Sequence, residues 1–171
     1  MPVELKLKVL DVHKRVLGTE HPHTLISMRN LASTYSDQEK YEEAVELMLK
    51  VLDLHNRVLG PEHPATLISM GNLASTYSYQ GKYEEAVELK LKVLDVHKRV
   101  LGTEHPDILA SMENLAVTFL EQGKHGEAEE LALKVLDLRK KVLGPEHPHT
   151  LNSMMGHIHL KTNMRKLKSC K

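Results

Sequence analysis

The chain has 171 residues, 41% apolar and 27% charged, with 23 basic and 23 acidic side chains and no formal net charge. That apolar content can build a core, which excludes a disordered chain, and the balanced charge disfavours a dedicated nucleic-acid binder. No apolar run is long enough to span a membrane, no apolar signal segment follows Met1, and Cys170 as the single cysteine rules out an intrachain disulfide and fits a reducing, cytoplasmic setting.

Along the chain, residues 3–17 read as a lone helix. The string Gly-x-Glu-His-Pro then opens at Gly18 and recurs at Gly60, Gly102 and Gly144, every 42 residues. Residues 18–59 and 60–101 agree at 34 of 42 positions, residues 60–101 and 102–143 at 26 of 42, and residues 3–22 are identical to 87–106. Self-similarity at a period of this size marks a solenoid of stacked units. Apart from Pro2, every proline lies in these linkers, and the stretches between them are rich in helix formers. Each linker is a stop and a start: Gly60 suits the left-handed residue past a helix end, and Pro64 the first turn of the next helix. A second break falls near Gln80-Gly81-Lys82 and Gln122-Gly123-Lys124. Each unit is therefore expected to hold two antiparallel helices, A at about 23–37 and B at about 40–59. The expected organisation is a solenoid over 1–154 (half unit 3–17; units 18–59, 60–101 and 102–143; a partial unit from 144), then a degenerate basic cap or tail at 155–171.

Helix B has a polar stripe of Glu42, Glu43, Glu46, Lys50, Asp53 and Arg57, with Glu46–Lys50 and Asp53–Arg57 four apart. Its apolar arc (Tyr41, Ala44, Val45, Leu47, Val51, Leu52, Leu54, Val58, Leu59) is too wide for one neighbour. It predicts packing against its own helix A and the next.

Met28, Leu31, Ala32, Tyr35, Tyr41, Ala44 and Val51 recur as Met70, Leu73, Ala74, Tyr77, Tyr83, Ala86 and Val93. This pattern resembles the signature of tetratricopeptide repeats. The third unit keeps Met112, Leu115, Ala116, Phe119 and Ala128 but has His125 for the second tyrosine. The family's proline after helix B is absent, with Asn56, Lys98 and Lys140 there instead. The 42-residue period and the Leu-Gly-x-Glu-His-Pro linker resemble the longer class in kinesin light chains. The Asn-Leu-Ala-Ser-Thr-Tyr string is similar to the tandem arrays at the C-terminal ends of fungal NLR-type (NB-ARC) proteins. No phosphate-binding Gly-x-x-x-x-Gly-Lys-Ser/Thr is present.

The resemblance implies an all-α, right-handed superhelical solenoid of about three and a half helix pairs, with a concave face lined by the A helices. It implies that Ile26, Arg29, Asn30, Ser33 and Asp37 face this groove, with Ile68, Gly71, Asn72, Ser75 and Tyr79 from the second unit and Glu113, Asn114, Val117 and Glu121 from the third. Asn30, Asn72 and Asn114 form a ladder whose amides can grip a peptide backbone without reading its sequence. The alternative is that these asparagines bond neighbouring helices. These positions carry no lysine of the kind a carboxylate clamp uses, so a C-terminal carboxylate ligand is disfavoured.

The expected role is a non-catalytic scaffold for a protein or peptide ligand, with no cofactor, small-molecule substrate or membrane partner. Its Ser, His and Asp residues belong to the repeated set, and no local irregularity before residue 155 marks a catalytic site. His13, His55 and His97 share one repeat position and His21, His63, His105 and His147 another, which predicts helix-end caps or linker hydrogen bonds. His147, His149, His157 and His159 are dense, but no Cys or carboxylate completes a metal site. Residues 147–171 hold five basic residues and no acid, so the alternative function is electrostatic binding of an acidic partner, nucleic acid or filament. The helix at 3–17 lacks a partner helix A, and the partial unit from 144 lacks a helix B. Weak head-to-tail self-association is therefore expected.

Overall fold

The structure is a computed structural model and describes residues 3–102 and 104–157. It contains α1 (Val3–Leu17), α2 (Pro22–Asp37), α3 (Tyr41–Leu59), α4 (Pro64–Tyr79), α5 (Tyr83–Leu101), α6 (Pro106–Glu121) and α7 (His125–Leu143). Residues 148–157 are also helical, and no strand occurs among the described residues. The fold is an all-α array of A and B helices of the solenoid class. The chain divides into two compact units, Met1–Leu89 and Lys90–Lys171, the division falling within α5.

The joints follow from residues a few positions apart. Gly60 ends α3 with φ +91° and ψ 163°, and its N–H donates to the Asn56 carbonyl at 3.1 Å. Positive φ was expected there. The ψ is extended, however, not left-handed helical, and that region is open essentially to glycine alone. His63 then caps α4: its backbone is extended, and its Nδ1 accepts from the Ala65 N–H at 3.1 Å. His21, His105 and His147 do the same for the N–H two residues on, each at 3.2 Å. Thr66, fully buried, donates its hydroxyl to the Gly60 carbonyl at 2.7 Å, as Thr24 does to Gly18. The linker glutamate has its own partner. Glu20 pairs with Arg57 at the end of α3 (2.5 Å), and Glu104 pairs with Lys141 at the end of α7.

In the first unit α1 packs on α2, α2 on α3, and α3 on α4. Leu10, Leu25, Met28, Leu31 and Val51 form one buried cluster, and Ala32, Met48 and Leu73 a second. Full burial of each large aliphatic side chain stabilises by about 1.5–3 kcal/mol. The small residues Ala32, Ala44, Ala74 and Ala86 have no exposed surface, which is what close helix approach requires. In the second unit α6 packs on α7, and Ile108, Leu115, Ala128 and Val135 are buried.

The apolar arc expected on helix B is narrower than its sequence. Ala44 and Val51 are buried and Val45, Leu47, Leu52 and Leu54 half-buried, but Val58 and Leu59 are exposed. They lie in the last turn, beyond the reach of the flanking A helices. On α1, Leu10 is buried while Leu5, Val12 and Val16 are exposed. The basic residues Lys161, Arg165, Lys166, Lys168 and Lys171, on which the electrostatic alternative rests, lie outside the described residues.

Candidate functional site

A groove of about 310 Å³ lies between α2 and α4. One wall is Arg29, Asn30, Ser33, Ser36 and Asp37 of α2, and the other is Asn72, Ser75, Thr76 and Tyr79 of α4. Residues at i, i+3, i+4 and i+7 share a helix face, so Asn30, Ser33 and Asp37 line up along α2, and Asn72, Ser75 and Tyr79 repeat them on α4. The groove thus brings together most of the residues expected from the first two units. Ile26, Ile68 and Gly71, also expected there, do not line it, and the two isoleucines stand exposed on their helices.

The floor is Met48, from α3. Sequence reasoning missed it, because only A-helix positions were expected to face the groove. Met48 is 6% exposed, and its sulfur lies 3.2 Å from the Thr76 hydroxyl, which is also 3.1 Å from the Asn72 carbonyl of its own helix. The available signal was repeat variation: position 48 is one of the eight differences between residues 18–59 and 60–101.

Asn30 is exposed and Asn72 half-buried. Among the described residues neither side-chain amide is hydrogen-bonded within the chain. That leaves their amide donors and acceptors open to a ligand. Ser75 instead donates to the Gly71 carbonyl of its own helix at 3.1 Å. Tyr79 is 64% exposed, its ring stacked near Tyr41 with centroids 6.4 Å apart.

In the second unit Asn114 and Val117 are exposed on α6. Glu113 is differently engaged, in an ion pair with Arg139 of α7 at 2.7 Å. Arg139 is 15% exposed and also donates to the Ser153 hydroxyl. Glu113 is thereby tied to its own helix B. In the first unit the same repeat position holds Arg29, whose charge acts on His55 of α3.

One further expectation needs correction. His13, His55 and His97 neither cap helices nor bond the linkers. Each Nδ1 meets a serine in the next helix A, at Ser27, Ser69 and Ser111, 2.8 Å away in every case. The fourteen-residue spacing carries the ring across the joint. No lysine lines the groove, but two lysines of B helices reach over to A helices. Lys6 reaches from α1 to the Asn30 carbonyl (3.2 Å) and the Thr34 hydroxyl, and Lys90 from α5 to the Asn114 carbonyl (3.1 Å) and the Thr118 hydroxyl. Burial holds Lys90 below the usual lysine range, opposed by Glu121.

These contacts repeat with the sequence, and the repeat decides the family. The Tetratricopeptide repeat family matches residues 3–54, 30–96 and 80–141. The chain belongs to the tetratricopeptide-repeat family. Repeats of this family generally mediate protein–protein interaction. Two crystal structures of a Podosopora anserina kinesin light chain-like protein with nearly identical TPR-like repeats, one of them a point variant, superpose with a TM-score of 0.80. Identity is 34%, covering 98% of this chain and 80% and 81% of those chains. BtubC (BKLC) from P. vanneervenii has a TM-score of 0.72 over 85% of this chain and 58% of its own. At 18% identity it shows the fold alone. No curated protein matches the chain. Among the described residues no tetratricopeptide helix is long and apolar enough to cross a membrane.

Proposed function

We propose that the array is a non-catalytic scaffold that holds an extended peptide or partner helix against its A helices. The observation that carries this reading is the groove between α2 and α4, with the Asn30 and Asn72 amides on opposite walls. Such amides pair with the donors and acceptors of any peptide backbone, and Asn114 offers the same group on α6. We read the array as the type at the C-terminal ends of fungal NLR-type proteins, on the Asn-Leu-Ala-Ser-Thr-Tyr strings at 30–35 and 72–77. The lone Cys170 supports a cytoplasmic location.

The test uses peptides selected on the wild-type chain from a displayed random dodecapeptide library. The triple variant Asn30→Ala, Asn72→Ala, Asn114→Ala should bind them more weakly, by about 0.5–1.5 kcal/mol per lost hydrogen bond, with its urea midpoint unchanged. Equal affinity by calorimetry removes the amides from binding. Collapse of the fold assigns them a structural role.

A further inference from the structure

One place in the repeat is occupied by Lys6, Met48, Lys90 and Ala132 in turn. In α1 and α5 the lysine sends its ammonium to the following helix A, onto a backbone carbonyl and a threonine hydroxyl. Met48 cannot donate. Thr76 keeps its hydroxyl on the Asn72 carbonyl of its own helix at 3.1 Å, as Thr34 does on Asn30 and Thr118 on Asn114, with the Met48 sulfur 3.2 Å from its oxygen, and the groove above stays open. Three structurally equivalent spots thus differ in one property, apolar thioether against ammonium.

The surroundings fit a particular occupant. Arg29 and Asp37 both line the groove and lie eight residues apart on α2, which is about 12 Å along a helix axis. Met48 meets Thr76, whose repeat equivalent on α2, Thr34, lies between those two charges. The exposed ring of Tyr79 adds apolar surface opposite. A thioether is polarisable and flexible, so it accepts apolar side chains of varied shape.

Resting on the groove reading above, we propose that Met48 makes this segment a subsite for an extended peptide that lays an apolar side chain on the thioether and places a basic residue towards Asp37. Position 48 then selects the residue class: an ammonium there disfavours an apolar side chain and favours a carboxylate. The deciding residue lies on helix B, beneath the surface that the A helices line.

The experiment selects peptides from the same library on wild type, on Met48→Lys and on Met48→Ala. Both replacements are residues that the chain itself carries at this place, and circular dichroism confirms that each variant folds. Wild-type peptides should share one Leu, Met or Phe next to a Lys or Arg, and should weaken about tenfold or more against Met48→Lys. Peptides selected on Met48→Lys should carry Asp or Glu at that place, and Met48→Ala should retain the apolar class. If Met48→Lys selects the same apolar residues with unchanged affinity, the specificity role is overturned while the groove reading stands. If no peptide is enriched, or enriched peptides bind the triple asparagine variant equally well, the groove reading fails and this inference with it.

Discussion

The Nδ1 of His55 on α3 lies 2.8 Å from the Ser69 hydroxyl on α4. Ser69 gives its proton to the Ala65 carbonyl at 3.0 Å, which leaves its oxygen to accept from the imidazole N–H. His55 is buried, and burial, Arg29 and His63, in that order, hold it below its ordinary value of 6.5. The unfolded chain therefore takes up this proton at higher pH than the folded chain. Stability from this group is complete above 6.5 and declines as pH falls below it. Urea melts across this range should show a smaller acid-side loss for His55→Asn than for wild type, although the variant is weaker at neutral pH. An identical loss in both would show that His55 does not carry it.

Ala74→Leu should destabilise by about 1–3 kcal/mol, because Ala74 has no exposed surface and three more carbons must displace packed neighbours. A urea melt measures this directly, and an unchanged midpoint would refute the packing described for α4.

Gly71→Ala should stabilise by about 0.5–1 kcal/mol. Gly71 is inside α4, and an added Cβ meets no atom within 4 Å. Gly60→Val should do the opposite, since its φ of +91° strains any β-branched residue however much room it has. Thermal melts that move both variants in the same direction would contradict this account.

Glu39 stands at φ +60°, where the repeat equivalents Gly81 and Gly123 stand at +75° and +79°. A side chain in that region costs about 1–2 kcal/mol, partly offset by the stiffer unfolded chain. Glu39→Gly should therefore stabilise by about 1 kcal/mol, and Gly81→Glu should cost a similar amount. The two variants compared by chemical denaturation decide it, and a destabilising Glu39→Gly would mean that the glutamate has a compensating contact.

The joints were legible in the sequence because their chemistry is local. Gly60, His63 and Thr66 lie within seven residues, and the backbone they bond is their own. The break at Gln80-Gly81-Lys82 was equally plain, and it needs nothing beyond a glycine able to hold positive φ. The aromatic packing there was not. Lys82 lies 5.9 Å from the ring centre of Tyr77, and Lys40 repeats this over Tyr35 at 6.0 Å. Neither lysine was distinguishable from any other surface lysine.

By itself the sequence determined the period and the helix pairs with their approximate bounds. These rest on 42-residue identity and on helical periodicity, both readable one residue at a time. Only the tertiary structure decided what lies beneath and behind the A-helix face. It placed Met48 as the floor, carried Lys6 and Lys90 from helix B to helix A, and paired Glu113 with Arg139. The physical reason is reach. A side chain that crosses from one helix to the next is set by how closely the two axes approach and at what height they face each other. Between α2, α3 and α4 that spacing comes from the packing of Ala32, Met48 and Leu73 together, not from any one of them.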